Sequence, residues 1–390
     1  MADGDGAITA RVLTGIDQVP AEEWDACAGT ANPFLSHAFL SALEDSGSVG
    51  ADTGWLPQHL VVEDPQGGIA AAAPLYLKGH SYGEYVFDHG WAHAYERAGG
   101  EYYPKLLCAV PFTPVPGPRL LVRPGPSADS ARTALVAAML ELTRRLGVSS
   151  LHVNFLPEEQ WHELGDAGFL QRVGQQYHWQ NQGYATFDDF LAALSSRKRK
   201  AIRKERREVA ERGVVCRALT GEEIQPVHWD HFYRFYRNTS DRKWGSAYLN
   251  RSFFTMVGER LADRVVLVIA EADGNIVAGA LNLRGEDTLY GRNWGCSRRY
   301  PFLHFEACYY QAIEYAIRHG LERVEAGAQG QHKIQRGYLP VPTYSAHWIA
   351  DAGFRRAVAD YLERERAAVG EDIEDLAELS PFRKTDPTVG

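Results

Sequence analysis

Leu60–Ile69 reads LVVEDPQGGI, and Leu267–Ile276 reads LVIAEADGNI. The two stretches align without a gap at a separation of 267 − 60 = 207 residues. Each is an apolar run and a Gly-containing turn leading into a second apolar run, IAAAAPLYL in the first half and IVAGALNL in the second. That pattern predicts a β-hairpin in each half. Working outward, the order of elements repeats as well. Each hairpin is followed by a third strand-like segment with aromatics and a Gly-Trp or Trp-Gly step, Tyr85–Tyr95 and Leu289–Tyr300. Apolar residues at helical spacing predict helices over Ala128–Leu146 and Phe305–His319, each stopped by a glycine, Gly147 and Gly320. A strand comes next (VSSLHVNFL and LERVEAGAQ), then a Gly-aromatic step, then a last strand with a His-Trp pair, His178-Trp179 and His347-Trp348. A repeat this long predicts two tandem α/β units, each a mixed central sheet flanked by helices. The expected division is 1–182 and 183–368, with an acidic, poorly ordered tail over 369–390.

The chain of 390 residues is 45% hydrophobic and 23% charged, which excludes a disordered or collagen-like protein. Its longest apolar stretches fall short of the roughly 20 residues that cross a bilayer. The N-terminal MADGDG lacks the basic and apolar regions of a signal peptide, so a cytoplasmic location is expected. The five cysteines are scattered without a CxxC pair, which predicts free thiols and no metal.

Charge is unevenly placed. Ser195–Gly213 carries nine Lys/Arg and three Glu, a local +6 within a chain of net −9, so the rest carries −9 − 6 = −15. Such a cluster is a candidate contact for phosphate or another anion. It also reads as a solvated helix face, because Ala201, Ile202, Val209 and Ala210 form a narrow apolar stripe.

The element order resembles the GNAT acyltransferase fold, and two such units in one chain resemble the FemAB-type arrangement. The segments GEYVFDHGWAHAYERAGGEYYPKL, PFTPVPGPRLL, GYATFDDFLAALSSRKRKAIRKERREV and GLERVEAGAQGQHKIQRGY are similar to the FemAB-like predicted N-acyltransferases of peptidoglycan biosynthesis/recognition, over roughly residues 30–355. The resemblance implies a tandem GNAT fold and acyl transfer to an amine.

Acyl transfer to an amine needs a proton acceptor, preorganised donors for the tetrahedral oxyanion and a grip on the donor. In the second half, His304 and Glu306 start a helix, Glu325 lies on the following strand, and the loop GAQGQHK supplies Gln329, His332 and Lys333. Glu325 or His332 is the candidate base, and Lys333 is the candidate for the oxyanion or a donor phosphate. Arg292, Trp294 and Gln329 are further substrate-contact candidates. In the first half Asp88, Trp91, Tyr103 and Lys105 read equally as a substrate pocket or as packed core. His152 and His178 are expected to be packed within strands.

The chain lacks HExxH and GxxxxGK[ST], so zinc-peptidase chemistry and ATP hydrolysis are unsupported, and the lack of GxSxG weighs against an α/β-hydrolase. It also lacks the glycine-rich pyrophosphate loop of acetyl-CoA enzymes: the equivalent Cys296–Ala307 stretch has no glycine. Arg298 and Arg299, with Arg199, Lys200 and Arg203 of the basic segment, are the candidate donor-phosphate contacts. No tightly bound cofactor is expected; the acyl donor is a co-substrate. Three donors remain open: aminoacyl-tRNA, which the FemAB resemblance implies; an acyl-carrier protein; or acyl-CoA held in an unusual way. The acceptor is either a cell-envelope peptide amine or a long-chain lipid amine in a ceramide-type reaction, with peripheral contact at the inner membrane. The competing reading is a non-catalytic double-GNAT binding protein.

Overall fold

Both predicted hairpins form: His59–Glu63 pairs with Ile69–Ala73, and Val265–Ala272 with Asn275–Arg284. The structure is a computed structural model and describes residues 9–65, 67–244, 247–327 and 330–383. It separates into two units, residues 1–174 with 342–370, and residues 175–341 with 371–390. The division therefore differs from the expected cut at 182/183.

In unit 1 the strands are β1 (Ala10–Leu13), β2 (Trp55–Pro57), β3 (His59–Glu63), β4 (Ile69–Ala73), β5 (Leu75–Lys78), β6 (Lys105–Cys108), β7 (Leu121–Val122) and β8 (Ser150–Leu156). An antiparallel sheet runs β1-β3-β4-β7, and β8-β6-β5-β2 follow one another in a second sheet. Within it β6 and β8 pair parallel, whereas β5 pairs antiparallel with both β6 and β2. The helix Ala128–Leu146 forms as expected, turns Ala131, Leu135 and Met139 into the core, and stops at Gly147 with φ +63°. One expectation fails. Tyr85–Tyr95 is no strand: His89–Arg97 is a helix, and the third strand is β6. Trp91, Ala92 and Tyr95 recur at helical spacing, and that period outweighs the aromatic content.

Unit 2 contains β9 (Leu170–Gln180) from Gln175 onward, β10 (Val215–Thr220), β11 (Val265–Ala272), β12 (Asn275–Arg284), β13 (Thr288–Cys296) and β14 (Arg323–Glu325), in the order β10-β11-β12-β13-β14-β9. The helix Pro226–Trp244 lies so close to β13 that a Cβ on Gly295 would sit 2.2 Å from the Phe235 carbonyl oxygen, which is why glycine stands there. The predicted helix over Phe305–His319 is a composite: an α-turn at Leu303–Phe305, a π-helical segment at Glu306–Tyr310, then α-helix Gln311–Arg318. π-segments cluster at functional sites because they re-aim side chains. The basic segment is helix Ser196–Glu211, with Ile202 and Val209 buried; Ala201 and Ala210 stay exposed.

The last strand of each repeat completes the sheet of the other half. Trp179 of β9 pairs opposite Val324 of β14 in unit 2. In unit 1, β15 (Leu339–Ile349) brings His347 opposite His152 on β8. Of the expected tail, 369–390, the structure describes residues up to 383. The helix Ala352–Glu378 is continuous, and after it Phe382 bridges to Leu194 and packs on the unit 2 core. Apolar Leu376 and Phe382 outweigh the surrounding acids there. No helix of the described residues is long and apolar enough to cross a membrane.

Candidate active site

The site grows out of the parallel pair β13–β14 in unit 2. β13 and β14 pair only from Thr288 to Tyr290 against Arg323 to Glu325, and then part. A bulge in the β12–β13 ladder, where Asn282 faces Gly291 and Leu281 faces Asn293, leaves Arg292 as the extra residue. A cleft of about 90 Å³ opens beyond the split, lined by Asn282, Gly291, Arg292, Trp294, His304, Cys308, Tyr309 and Ala326. This is where ligands bind in α/β sheets, outside the carboxyl ends of parallel strands. A Cβ on Gly291 would stand 3.2 Å from the Glu325 carbonyl oxygen, so glycine lets the two strands approach where they part.

Glu325 is buried. Its Oε1 lies 3.4 Å from Arg323 Nε and 3.9 Å from His178 Nδ1, and its Oε2 has no hydrogen-bond partner. Burial pushes its carboxyl up to about 8, against the pull of Arg323. Burial likewise holds His178 down at about 3, so that ring is neutral at physiological pH. Lys333 comes from the 3₁₀ turn Gln331–Arg336, is buried, and donates from Nζ to the Gly327 carbonyl at 2.8 Å. Burial lowers its amine to about 7. Unit 2 thus holds a carboxyl and an amine that both titrate near neutrality, the range useful for moving protons.

The other predicted residues of this half fall into different roles. His304 packs edge-on to Trp294 at 5.4 Å and to Tyr309 at 5.2 Å, lining the cleft. His332 Nε2 is 2.9 Å from the Tyr309 hydroxyl. Glu306 is not placed to act as a base: Arg206 donates to both its oxygens at 3.0 Å, and Gln311 Nε2 donates at 2.8 Å. This ion pair fastens the basic helix to the π-segment, with Glu314 as a second acceptor for Arg206 at 2.9 Å. Arg298 folds onto Tyr300, Nε to hydroxyl at 2.9 Å, and Arg299 is exposed. Arg203 pairs with Asp188 at 3.0 Å. Arg199 is half-buried and Lys200 exposed near the start of the basic helix. Gln329 lies outside the described residues. Sequence reasoning missed Asn282 and Tyr309. Asn282 had a signal, a lone amide within the apolar run of β12.

The first-half cluster forms a buried hydrogen-bonded network, in which Glu84 Oε1 and Asp88 Oδ1 have no hydrogen-bond partner. Lys105 is fully buried and donates to Glu84 Oε2 and Ser81 Oγ, each at 2.8 Å, and to Asp88. Tyr102 donates to Asp88 at 2.7 Å, and Tyr103 hydroxyl lies 2.8 Å from Ser81. His152 and His347 face each other, Nδ1 to Nδ1 at 2.6 Å, with Trp91 edge-on to His347. Lys105 holds Asp88 well below the usual carboxylate range, whereas burial raises Glu84 to about 7. The split between parallel β6 and β8, the counterpart of the unit 2 cleft, is occupied by the chain itself. Arg119, fully buried, donates there to the carbonyls of Asn154, Gly117, Pro118 and Val115 at 2.8–3.1 Å.

Tandem α/β units, each with a split parallel pair, make the GNAT-like fold that the sequence resembles. A family model described as peptidoglycan biosynthesis/recognition, FemAB-like, matches residues 15–384, and the chain belongs to that family. Among solved structures it is similar to FemX, with TM-score 0.55 and 12% identity over 90% of this chain and 100% of that one. It is also similar to the C-terminal domain of a putative lysylphosphatidylglycerol synthetase from Agrobacterium fabrum, with TM-score 0.51 and 12% identity over 90% and 96% of the two chains. A tandem GNAT protein from the clavulanic acid biosynthesis pathway aligns at TM-score 0.47 and 14% identity, over 89% and 99%. No curated protein matches the sequence.

Proposed function

We propose that this protein is an N-acyltransferase that joins an activated acyl or aminoacyl group to the amine of a cell-envelope peptide or a long-chain lipid amine. The observation that carries the reading is the cleft at the β13–β14 split, whose wall residue Ala326 follows directly on buried Glu325, at about 8, in the unit that also buries Lys333, at about 7. The acceptor amine attacks the donor carbonyl and a C–N bond forms. Ionised Glu325 takes the amine proton. Lys333 and backbone N–H groups bordering the cleft stabilise the oxyanion. The C–S or C–O bond to the donor then breaks, and the proton passes to the leaving group.

Unit 2 carries the reaction in this proposal and unit 1 supports it structurally, because Arg119 fills the corresponding split of unit 1. The family description, peptidoglycan biosynthesis/recognition, supports an envelope acceptor. The donor is a co-substrate, and the start of the basic helix suits a polyanionic one. The test is amide formation by purified protein offered aminoacyl-tRNA, acyl-carrier protein and acyl-CoA with peptide and lipid amines. A product lost in Glu325→Gln supports the proposal. Absence of product from every combination overturns it.

A further inference from the structure

Unit 2 holds a second, larger cavity that this chemistry does not use. It is a groove of about 710 Å³, with Ala193, Gly337, Val341 and Phe382 among its walls, His178 at one position and Arg383 at another. The wall runs straight into the basic helix. Arg383 N–H donates to the Ala193 carbonyl at 3.0 Å and Ser195 N–H to the Pro381 carbonyl at 2.9 Å, so the groove wall and the first turn of that helix form one unit. That turn carries Arg197, Lys198, Arg199 and Lys200 in succession. Among the described residues, ion pairs along the helix begin only further on, at Arg203, Lys204, Arg206 and Arg207. Cations at a helix N-terminus oppose the macrodipole. Four cations in succession point to different sides of the helix, but their charges add at its start, a few residues along the chain from the Ala193 wall, while Arg383 lines the groove itself, so an anion there is drawn by both. A groove with an apolar stretch at Ala193, Val341 and Phe382, polar Gln180 and Gln182, and Arg383 next to the cationic helix start is complementary to a molecule with an apolar chain and an anionic head.

We infer that this groove binds a single-chain amphiphile, its alkyl chain along Ala193, Val341 and Phe382 and its phosphate headgroup at Arg383 and the first turn of the basic helix. His178 links the groove to the reaction site, since the ring that lines the groove also stands 3.9 Å from Glu325. The inference deepens the acyltransferase reading by naming the class of one substrate, and it rests on that reading only for the groove's place in turnover.

Calorimetry with dodecyl phosphate tests it directly, with inorganic phosphate and dodecyl maltoside as the headgroup-only and neutral-head probes. Wild-type protein is expected to bind dodecyl phosphate saturably and at least tenfold tighter than either comparison probe. Ala193→Trp fills the groove and is expected to weaken binding at least tenfold, with its thermal melt checked in parallel. The exposed double variant Lys200→Glu/Arg383→Glu is expected to weaken binding similarly and to flatten its salt dependence. No saturable binding, equal binding of dodecyl maltoside, or wild-type affinity in either variant overturns the inference. Amide formation is scored separately. Binding lost with long-chain transfer intact overturns the groove alone. Binding retained with no transfer from any donor leaves the groove standing and overturns the acyltransferase reading.

Discussion

His178 stands opposite Glu325 across the β9–β14 pair, with Nδ1 3.9 Å from Oε1. The strand that carries His178 comes from the first repeat, whereas Glu325 belongs to the second. The neutral ring helps bury the carboxyl without neutralising it, and that burial sets the proton affinity on which the proposed chemistry depends.

Glu325→Gln is expected to lower the amide-forming rate by roughly 10²–10⁴-fold, the usual worth of a positioned base. In the wild type, kcat/KM should rise with pH through about 8 as Glu325 ionises, and the variant should lack that limb. Arg323→Met should move the limb to higher pH, because Arg323 favours the ionised carboxyl. A pH–rate profile of the three proteins checks this, and an unshifted limb in Glu325→Gln removes Glu325 from the role.

The same shift has a signed effect on stability. Folded Glu325 keeps its proton up to about 8, while the unfolded group loses it near its ordinary 4.5. Between those values the folded state binds more protons, so the contribution falls as pH rises. Glu325→Gln should therefore gain melting temperature relative to wild type at pH 8, and gain less at pH 5.

Lys333 runs the other way. Its folded value of about 7 lies below the ordinary 10.5, so the unfolded state binds the extra proton between them, and stability rises with pH across that window. Lys333→Met should raise the melting temperature most at pH 6 and least near pH 10, while reducing amide formation. An equal gain at both pH values would contradict burial of the amine as the cause.

Two glycines on β13 separate site geometry from folding. Gly291→Ala brings a Cβ to 3.2 Å from the Glu325 carbonyl oxygen, a mild overpacking expected to cost about 1–3 kcal/mol and to depress kcat. Gly295→Ala brings one to 2.2 Å from the Phe235 carbonyl oxygen, and is expected to destabilise more and to loosen the helix Pro226–Trp244. Denaturant unfolding alongside turnover distinguishes the two.

In unit 1, Lys105→Met leaves Glu84 and Asp88 buried without their shared cation. Removing one partner of a buried ion cluster typically costs about 3–5 kcal/mol. The loss should appear in thermal unfolding. A variant as stable as wild type would show that the network adds nothing to the fold.

The sequence by itself determined the repeat, both hairpins, the helix Ala128–Leu146 with its Gly147 cap, the family, and the loop that carries Lys333. These are local or periodic signals, and a period of two or of 3.6 is visible without knowing the partner. It pointed to Glu325 through the strand and loop order. It misread Tyr85–Tyr95, where aromatic content masked a helical period.

Tertiary structure alone decided three things. The last strands carry the same His-Trp pair, so nothing local chooses which sheet each completes; packing of Trp179 with Phe190 and pairing of His347 opposite His152 make that choice. Composition does not say which residues of the first-half cluster meet, and only the tertiary structure brings Lys105 onto Glu84 and Asp88. Finally, Glu325 and Lys333 are ordinary titratable residues in the sequence. Burial, which depends on every element packed around them, brings both to neutrality.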